Sequence, residues 1–525
     1  MTHKTSHRAR HTFVFSFLLS SLGTLALQGN PALAADLPAF SAEDVFEMEY
    51  ANDPQVSPDG ARVAYVRSAM DIMTDRTRRS IWVVDVDGDN HRPLVSGSGT
   101  FSSPRWSPSG DRLAYLSNTE GKTQLFVQWL DGGETAKVTT LPESPRSIVW
   151  SPDGKHIAFT RFVPSPPPKL ADMPAKPKGA KWAEPATVVD RMTFRFDGGG
   201  YLPTGNQQVF VVPADGGTPR QMTSGDYPIS GSVSWMPDSQ SIIFSSNRRE
   251  DVEYHPRQND LYAASLVTGE LTQMTDHAGP ESDPAVSPNG RYLAYTSAAD
   301  TRQGYNRSDL RVMDLTSGES RSLTADLDRS VSDIQWSANS KSVWIRYNDL
   351  GMARIAEVDL KGNLKQADIV LGGTALGRPY TSGAFSVGGK DRIAYTLGRD
   401  DRPADLALMR SGKSSLQLTD LNSDLMGQRE MSRVERMVWP SSHDGLEIEG
   451  WVMKPPGFDP GKQYPMILEI HGGPHSAYGP NYSTEAQLFA AAGYVVFYTN
   501  PRGSTSYGEK FANEIDLAYP GYDYA

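Results

Sequence analysis

From about residue 54 to residue 421 the apolar positions follow one recurring pattern. A short alternating strand such as Arg62-Val63-Ala64-Tyr65-Val66 is preceded by a tight polar turn and followed by a second apolar run such as "SIWVVDVDG". Period-two alternation over five to seven residues predicts half-buried β-strands, and the intervening Ser, Pro, Asp and Gly predict turns. The turn chemistry is explicit in "SPDG": Pro presets φ for the first bend, while Asp and Gly tolerate the remaining geometry.

The pattern returns seven times. The copies are "PQVSPDGARVAYV", "PRWSPSGDRLAYL", "IVWSPDGKHIAFT", "VSWMPDSQSIIFS", "PAVSPNGRYLAYT", "IQWSANSKSVWIR" and a degenerate "GAFSVGGKDRIAYT". Equivalent positions fall at 57, 107, 151, 236, 287, 337 and 386, with steps of 50, 44, 85, 51, 50 and 49 residues. Most units close on a short element ending in Leu-Thr or Met-Thr. Four short strands in about 45 residues make one propeller blade, so seven copies predict a seven-bladed β-propeller. The long step holds a Pro/Lys-rich excursion over 163–206, which cannot bury a core and is expected at the surface. It ends in "DRMTFRFDGGGY", aromatic and charged, which fits a substrate-facing element and an idle surface insertion equally well. "DVDGDN" (85–90) resembles half of a calcium loop but lacks the downstream Glu and sits where a blade hairpin should turn.

The pattern changes after about residue 425. "VERMVWPSSHDGLEIEGWVMKPPGF" predicts two strands around an "HDG" turn. "YPMILEI" (464–470) reads as a strand buried on both faces, as in a mostly parallel sheet. "HGGPHSAYG" follows, then a helix over 483–492 with Ser483 as N-cap and Gly493 as stop. A further strand over 494–500 ends in "PRGSTSYG". The order β-β-β-loop-α-β is the opening of a hydrolase sheet.

Composition narrows the classes. A net charge of −11 across 525 residues argues against a nucleic-acid partner. Lys4, Arg8 and Arg10 precede an apolar run over 13–27 and an Ala32-Leu33-Ala34 cleavage pattern. That run is shorter than the roughly 20 residues of a spanning helix. It predicts a cleaved secretory leader (1–34), a periplasmic location and no membrane attachment after cleavage. There is no Cys, and the His residues show no paired metal-ligand spacing, so neither metal nor cofactor is expected.

"HGGPHSAYG", "NPRGSTSYGEKF" and the seven preceding blades together resemble the prolyl oligopeptidase family of serine peptidases, on its acylaminoacyl-peptidase and dipeptidyl-aminopeptidase-like branch. The resemblance implies a mainly β architecture: a seven-bladed propeller over 41–430, then the N-terminal half of an α/β-hydrolase domain over 431–525. It implies peptide substrates held in the cavity between the two parts and cleaved through an acyl-enzyme. Gly473 would donate its N–H to the oxyanion, and His471, Gly472 and Pro474 would shape the loop. Asn500, Arg502 and Tyr478 would stand near the substrate cavity. No G-x-S-x-G elbow occurs in the 525 residues. The Ser, Asp and His of the triad are therefore expected beyond Ala525, which makes this chain, on the sequence alone, a fragment with an open apolar sheet edge. The competing reading is a non-catalytic periplasmic propeller similar to TolB, which has no use for hydrolase strands.

Overall fold

The computed structural model describes residues 37–172, 174–183, 186–410 and 415–524. The expected leader lies outside them. Seven four-stranded antiparallel sheets follow one another, over 49–95, 101–137, 145–221, 229–273, 281–322, 331–366 and 385–417. These are the seven blades, numbered here 1 to 7.

The repeated residues make the repeated contacts. In blade 1 the Ser57 hydroxyl donates to Asp59 at 2.5 Å and accepts the Arg62 N–H at 2.9 Å, which locks the turn. The Trp before the turn works between blades. Trp106, Trp150, Trp235 and Trp336 each donate their indole N–H to a backbone carbonyl of the preceding blade's first strand, at 2.9, 2.9, 3.2 and 2.8 Å. The closing Thr works within a blade. The hydroxyls of Thr139, Thr223, Thr275, Thr324 and Thr419 accept an N–H from the third strand, at 2.9 to 3.0 Å. Each such bond contributes about 1 kcal/mol, and apolar packing between adjacent sheets supplies the bulk.

Blade 7 meets blade 1 by packing, since neither sheet borrows a strand from the other. Ala51, Val56 and Tyr65 of blade 1 share a core with Leu406, Leu408 and Leu418 of blade 7. Here the structure corrects the repeat alignment. Ser386, read as a turn residue, lies within the strand Phe385–Gly388 and accepts the Val56 N–H at 3.0 Å. The degenerate turn begins three residues later, over Gly389–Asp391, because "VGGKD" lacks the Ser-Pro that marks the other copies.

The C-terminal sheet is built from β1 (Val434–Pro440), β2 (Glu447–Met453), β3 (Met466–Ile470) and β4 (Val495–Asn500). Their spatial order is β1-β2-β4-β3, with β3 parallel to β4 and the other pairs antiparallel. Helix α1 (Thr484–Ala491) is capped as expected, Ser483 Oγ accepting the Ala486 N–H at 3.2 Å. The expectation that β3 is buried on both faces is not met. Met466, Leu468 and Ile470 are 61%, 48% and 60% exposed. Among the described residues β3 pairs only with β4, so it forms the sheet edge and its apolar side chains lie uncovered.

Within each blade the second strand ends, and the third begins, at the same face of the propeller. The C-terminal elements are bound at that face. Gly304 N–H donates to Asp516 at 2.9 Å, Gly351 N–H to Ser506 Oγ at 2.8 Å, and Tyr482 N–H to the Arg399 carbonyl at 2.8 Å. These partners are the strand 2–3 connections of blades 5, 6 and 7. At Gly351 the approach leaves no room for a side chain: a Cβ would stand 2.7 Å from the Tyr478 carbonyl, and its φ is +70°.

Candidate active site

The loop His471–Gly479 leaves the end of β3 and runs back under the propeller. Gly472 and Gly473 are solvent-exposed, and neither amide N–H is bonded to any described residue. Gly473 has φ +140°, and a Cβ there would lie 3.3 Å from the His475 nitrogen and from Ser476 Cβ. An exposed, unspent backbone N–H on a fixed loop is the equipment an oxyanion hole requires.

The other residues of the expected site hold this loop in place. Asn500, at the end of β4, is fully buried. Its Oδ1 accepts the Tyr478 N–H at 2.8 Å, and its Nδ2 donates to the Tyr478 carbonyl at 2.9 Å and to the Tyr507 hydroxyl at 2.8 Å. Its carboxamide is thus spent on the backbone of the returning loop rather than presented to a cavity. Tyr478 is equally buried. Its ring packs against Tyr380 and His471 with centroids 4.8 and 5.0 Å away, and its hydroxyl donates to Glu469 at 3.2 Å. Burial holds that phenol far above its ordinary pKa, so it stays protonated. Arg502 is 4% exposed and bonds Asp444 of the "HDG" turn and the Ser441 hydroxyl, the latter at 3.1 Å. Glu514 lies 3.6 Å from its other amine. Of the three residues expected at the cavity, Asn500 and Tyr478 hold the returning loop, and Arg502 ties the turn after β4 to the "HDG" turn.

His471 and Ser504 form a pair that resembles a nucleophile and its base, with His471 Nε2 2.9 Å from Ser504 Oγ. Two observations exclude that role. Ser504 has no solvent exposure. Its hydroxyl also donates to the Pro501 carbonyl at 2.6 Å, which leaves it only the acceptor role toward the His471 N–H. Burial pushes the His471 pKa below its ordinary value, so the ring is a neutral brace between the loop and the Pro501–Ser504 turn. Sequence reasoning missed Ser504, although it stands inside the quoted motif. It also missed Arg378 and Tyr380, propeller residues that reach Glu469 at 3.1 Å and the Tyr478 ring, because no local pattern marks them.

A propeller bound face-on to the opening strands of an α/β-hydrolase sheet, with an oxyanion-type loop at their junction, defines a propeller-capped hydrolase. Comparison with known proteins gives the family. Residues 60–163 match the TolB beta propeller domain, 181–303 the dipeptidyl peptidase IV N-terminal region, and 480–525 the prolyl oligopeptidase family. A Bacillus subtilis protein named as an uncharacterized peptidase, YuxL, is 30% identical over 501 residues, covering 92% of this chain and 74% of the relative. Dipeptidyl-peptidase 5 of Porphyromonas gingivalis is 26% identical over 97% of this chain and 74% of its own length. The acylaminoacyl peptidase of Pyrococcus horikoshii shares the fold, with a TM-score of 0.72 at 20% identity over 91% of this chain and 69% of that one. The chain belongs to the prolyl oligopeptidase family of serine peptidases.

Proposed function

We propose that the protein hydrolyses short peptides by releasing dipeptides from their N-termini, with Gly473 supplying one donor of the oxyanion hole. The observation that carries the mechanism is the exposed, unbonded Gly473 amide on a loop braced by Asn500 and Ser504. A tetrahedral intermediate places negative charge on the former carbonyl oxygen. A fixed N–H aimed there stabilises that charge without reorganisation, and removing one such donor costs about 100- to 1,000-fold in kcat. The dipeptidyl preference is supported by the relatives named dipeptidyl-peptidase 5 and by the match to the dipeptidyl peptidase IV N-terminal region. The propeller face over the loop favours small, unfolded substrates. Export to the periplasm follows from the basic, apolar and Ala-x-Ala pattern of residues 1–34.

The test uses the full-length protein. Dipeptidyl-p-nitroanilides and N-acetyl-aminoacyl-p-nitroanilides are compared, with the wild type and with Gly473→Ala. The expected result is a higher kcat/KM for the dipeptidyl series and a fall of about 100-fold in kcat for Gly473→Ala, which keeps the N–H but whose Cβ is strained at φ +140° and moves that N–H off the oxyanion. Hydrolysis of neither series by the wild type refutes the peptidase reading, and preference for the acetylated series refutes the dipeptidyl one. Full kcat in Gly473→Ala refutes the argument that the conformation at Gly473 fixes the position of the donor.

A further inference from the structure

The excursion in blade 3 leaves the second strand (His156–Pro164) and rejoins at the third (Gly205–Pro213). It therefore emerges on the propeller face where the hydrolase strands are bound. It is anchored there. Arg191 pairs with Asp226 of the connection to blade 4 at 2.6 Å, and the Met192 N–H donates to Glu253 of blade 4 at 2.5 Å. From that blade 4 connection Arg257 reaches the Gln303 carbonyl at 3.5 Å. The next residues, Gly304 and Tyr305, touch the hydrolase segment: Gly304 bonds Asp516, and the Tyr305 ring lies 5.6 Å from the His475 ring of the oxyanion-type loop. A contact path thus runs along one rim from the excursion to the loop that carries Gly473.

The excursion presents apolar surface on this rim. A two-stranded hairpin pairs Arg195–Phe196 with Gly200–Tyr201. Phe196 is 61% exposed and Phe194 42%, despite their size. Between the hairpin and blade 4 lies a cleft of 500 Å³ with an apolar wall of Phe194, Phe196, Val189, Leu202, Val252 and Pro256 and a charged margin of Asp190, Arg191, Asp226 and Glu253. That volume is within the range of sites for small ligands, and apolar walls of this kind select bulky apolar groups. Large aromatic side chains held in solvent on a pinned segment, beside a cleft, mark a binding surface.

We infer that this cleft is a substrate subsite, which receives an aromatic or long aliphatic side chain of the peptide at a position away from the scissile bond. The occupant follows from the rim the cleft shares with the oxyanion-type loop: a peptide extending from that loop along the propeller face meets the hairpin. The inference rests on the peptidase reading above, and the test separates the two.

A single Phe is walked along an alanine hexapeptide, and kcat/KM is measured for each peptide with the wild type, Phe194→Ala/Phe196→Ala and Phe196→Leu. The expected result is one outer Phe position that the wild type prefers by tenfold or more over alanine. That preference is lost in the double variant and largely kept in Phe196→Leu, while the all-alanine peptide is cleaved equally by all three. A hydrolysis-resistant analogue, N-methylated at the scissile bond, gives the same ranking by calorimetry without turnover. If the wild type cleaves none of the peptides, the peptidase reading fails, and calorimetry alone decides the subsite. The subsite is overturned if the double variant keeps the preference, or if it loses affinity equally for alanine and Phe peptides. It is also overturned if sedimentation shows a self-association abolished by the double substitution with peptide preference intact, since the face would then belong to a second copy of the chain.

Discussion

Glu281→Gln should stabilise the propeller, and increasingly so as pH rises. Glu281 opens the first strand of blade 5 and is 1% exposed, with its Oε2 unbonded among the described residues. Burial, with the charges of Asp260 and Asp276 adding to it, pushes its carboxyl up to about 7; Arg311 and a bond from Thr275 pull the other way but do not win. Asp260 is pushed up to about 6 by the same burial. The sign follows from linkage. The native state binds the proton more tightly than the unfolded chain, whose Glu titrates near 4.5. Protonated Glu281 is therefore fully compatible with folding at low pH, and stability is lost as pH rises from about 4.5 to about 7. A shift of this size corresponds to at most about 3 kcal/mol at pH 8, and water reaching the site reduces it toward about 1–2 kcal/mol. Gln keeps the shape and removes the ionisation. Urea unfolding followed by Trp fluorescence at pH 5, 6.5 and 8 gives the difference between variant and wild type. The expected gap widens in favour of Gln by about 1–3 kcal/mol from pH 5 to pH 8. A gap that is flat or narrows with pH refutes the argument, because it would mean that the native carboxylate is already compensated.

Three further outcomes follow from the same contacts. Asn500→Ala leaves the Tyr478 N–H and carbonyl buried without partners, at a cost of about 3 kcal/mol, and hydrogen exchange should show the Tyr478 amide losing its protection. Trp336→Phe keeps the packing between blades 5 and 6 but orphans the Ala285 carbonyl, so the urea midpoint should fall by the equivalent of about 1 kcal/mol; no change would show the indole bond to be exchangeable with water. A fluorophosphonate probe should not label Ser504, whose hydroxyl is buried and donates to the Pro501 carbonyl. Mass-spectrometric detection of the adduct on Ser504 would overturn the assignment of His471 and Ser504 as a neutral brace.

The propeller was legible because its signal is local and repeated. The Ser-Pro turn, the Trp before it and the closing Thr each have a partner at a fixed offset or in the neighbouring copy, so seven weak patterns reinforce one another. Reading failed where that repetition failed. In blade 7 the missing Ser-Pro displaced the turn by three residues, and Ser386 turned out to serve the ring closure by binding Val56. The loop around Gly473 was legible as an exposed Gly-Gly turn leaving an apolar strand. Its supports were not, since they depend on contacts between residues far apart in the chain, such as Tyr478 with Tyr380; nor was the burial of Arg502 against Asp444. Nothing in a single sequence distinguishes an Arg that lines a cavity from one buried under it. β3 shows the same limit. Its continuous apolar run marks a strand, but the burial expected on both faces is not found, since sequence does not say which strands cover it, and Met466, Leu468 and Ile470 stand in solvent. Periodicity reports what a segment can bury, whereas the pairing of strands decides what it does bury.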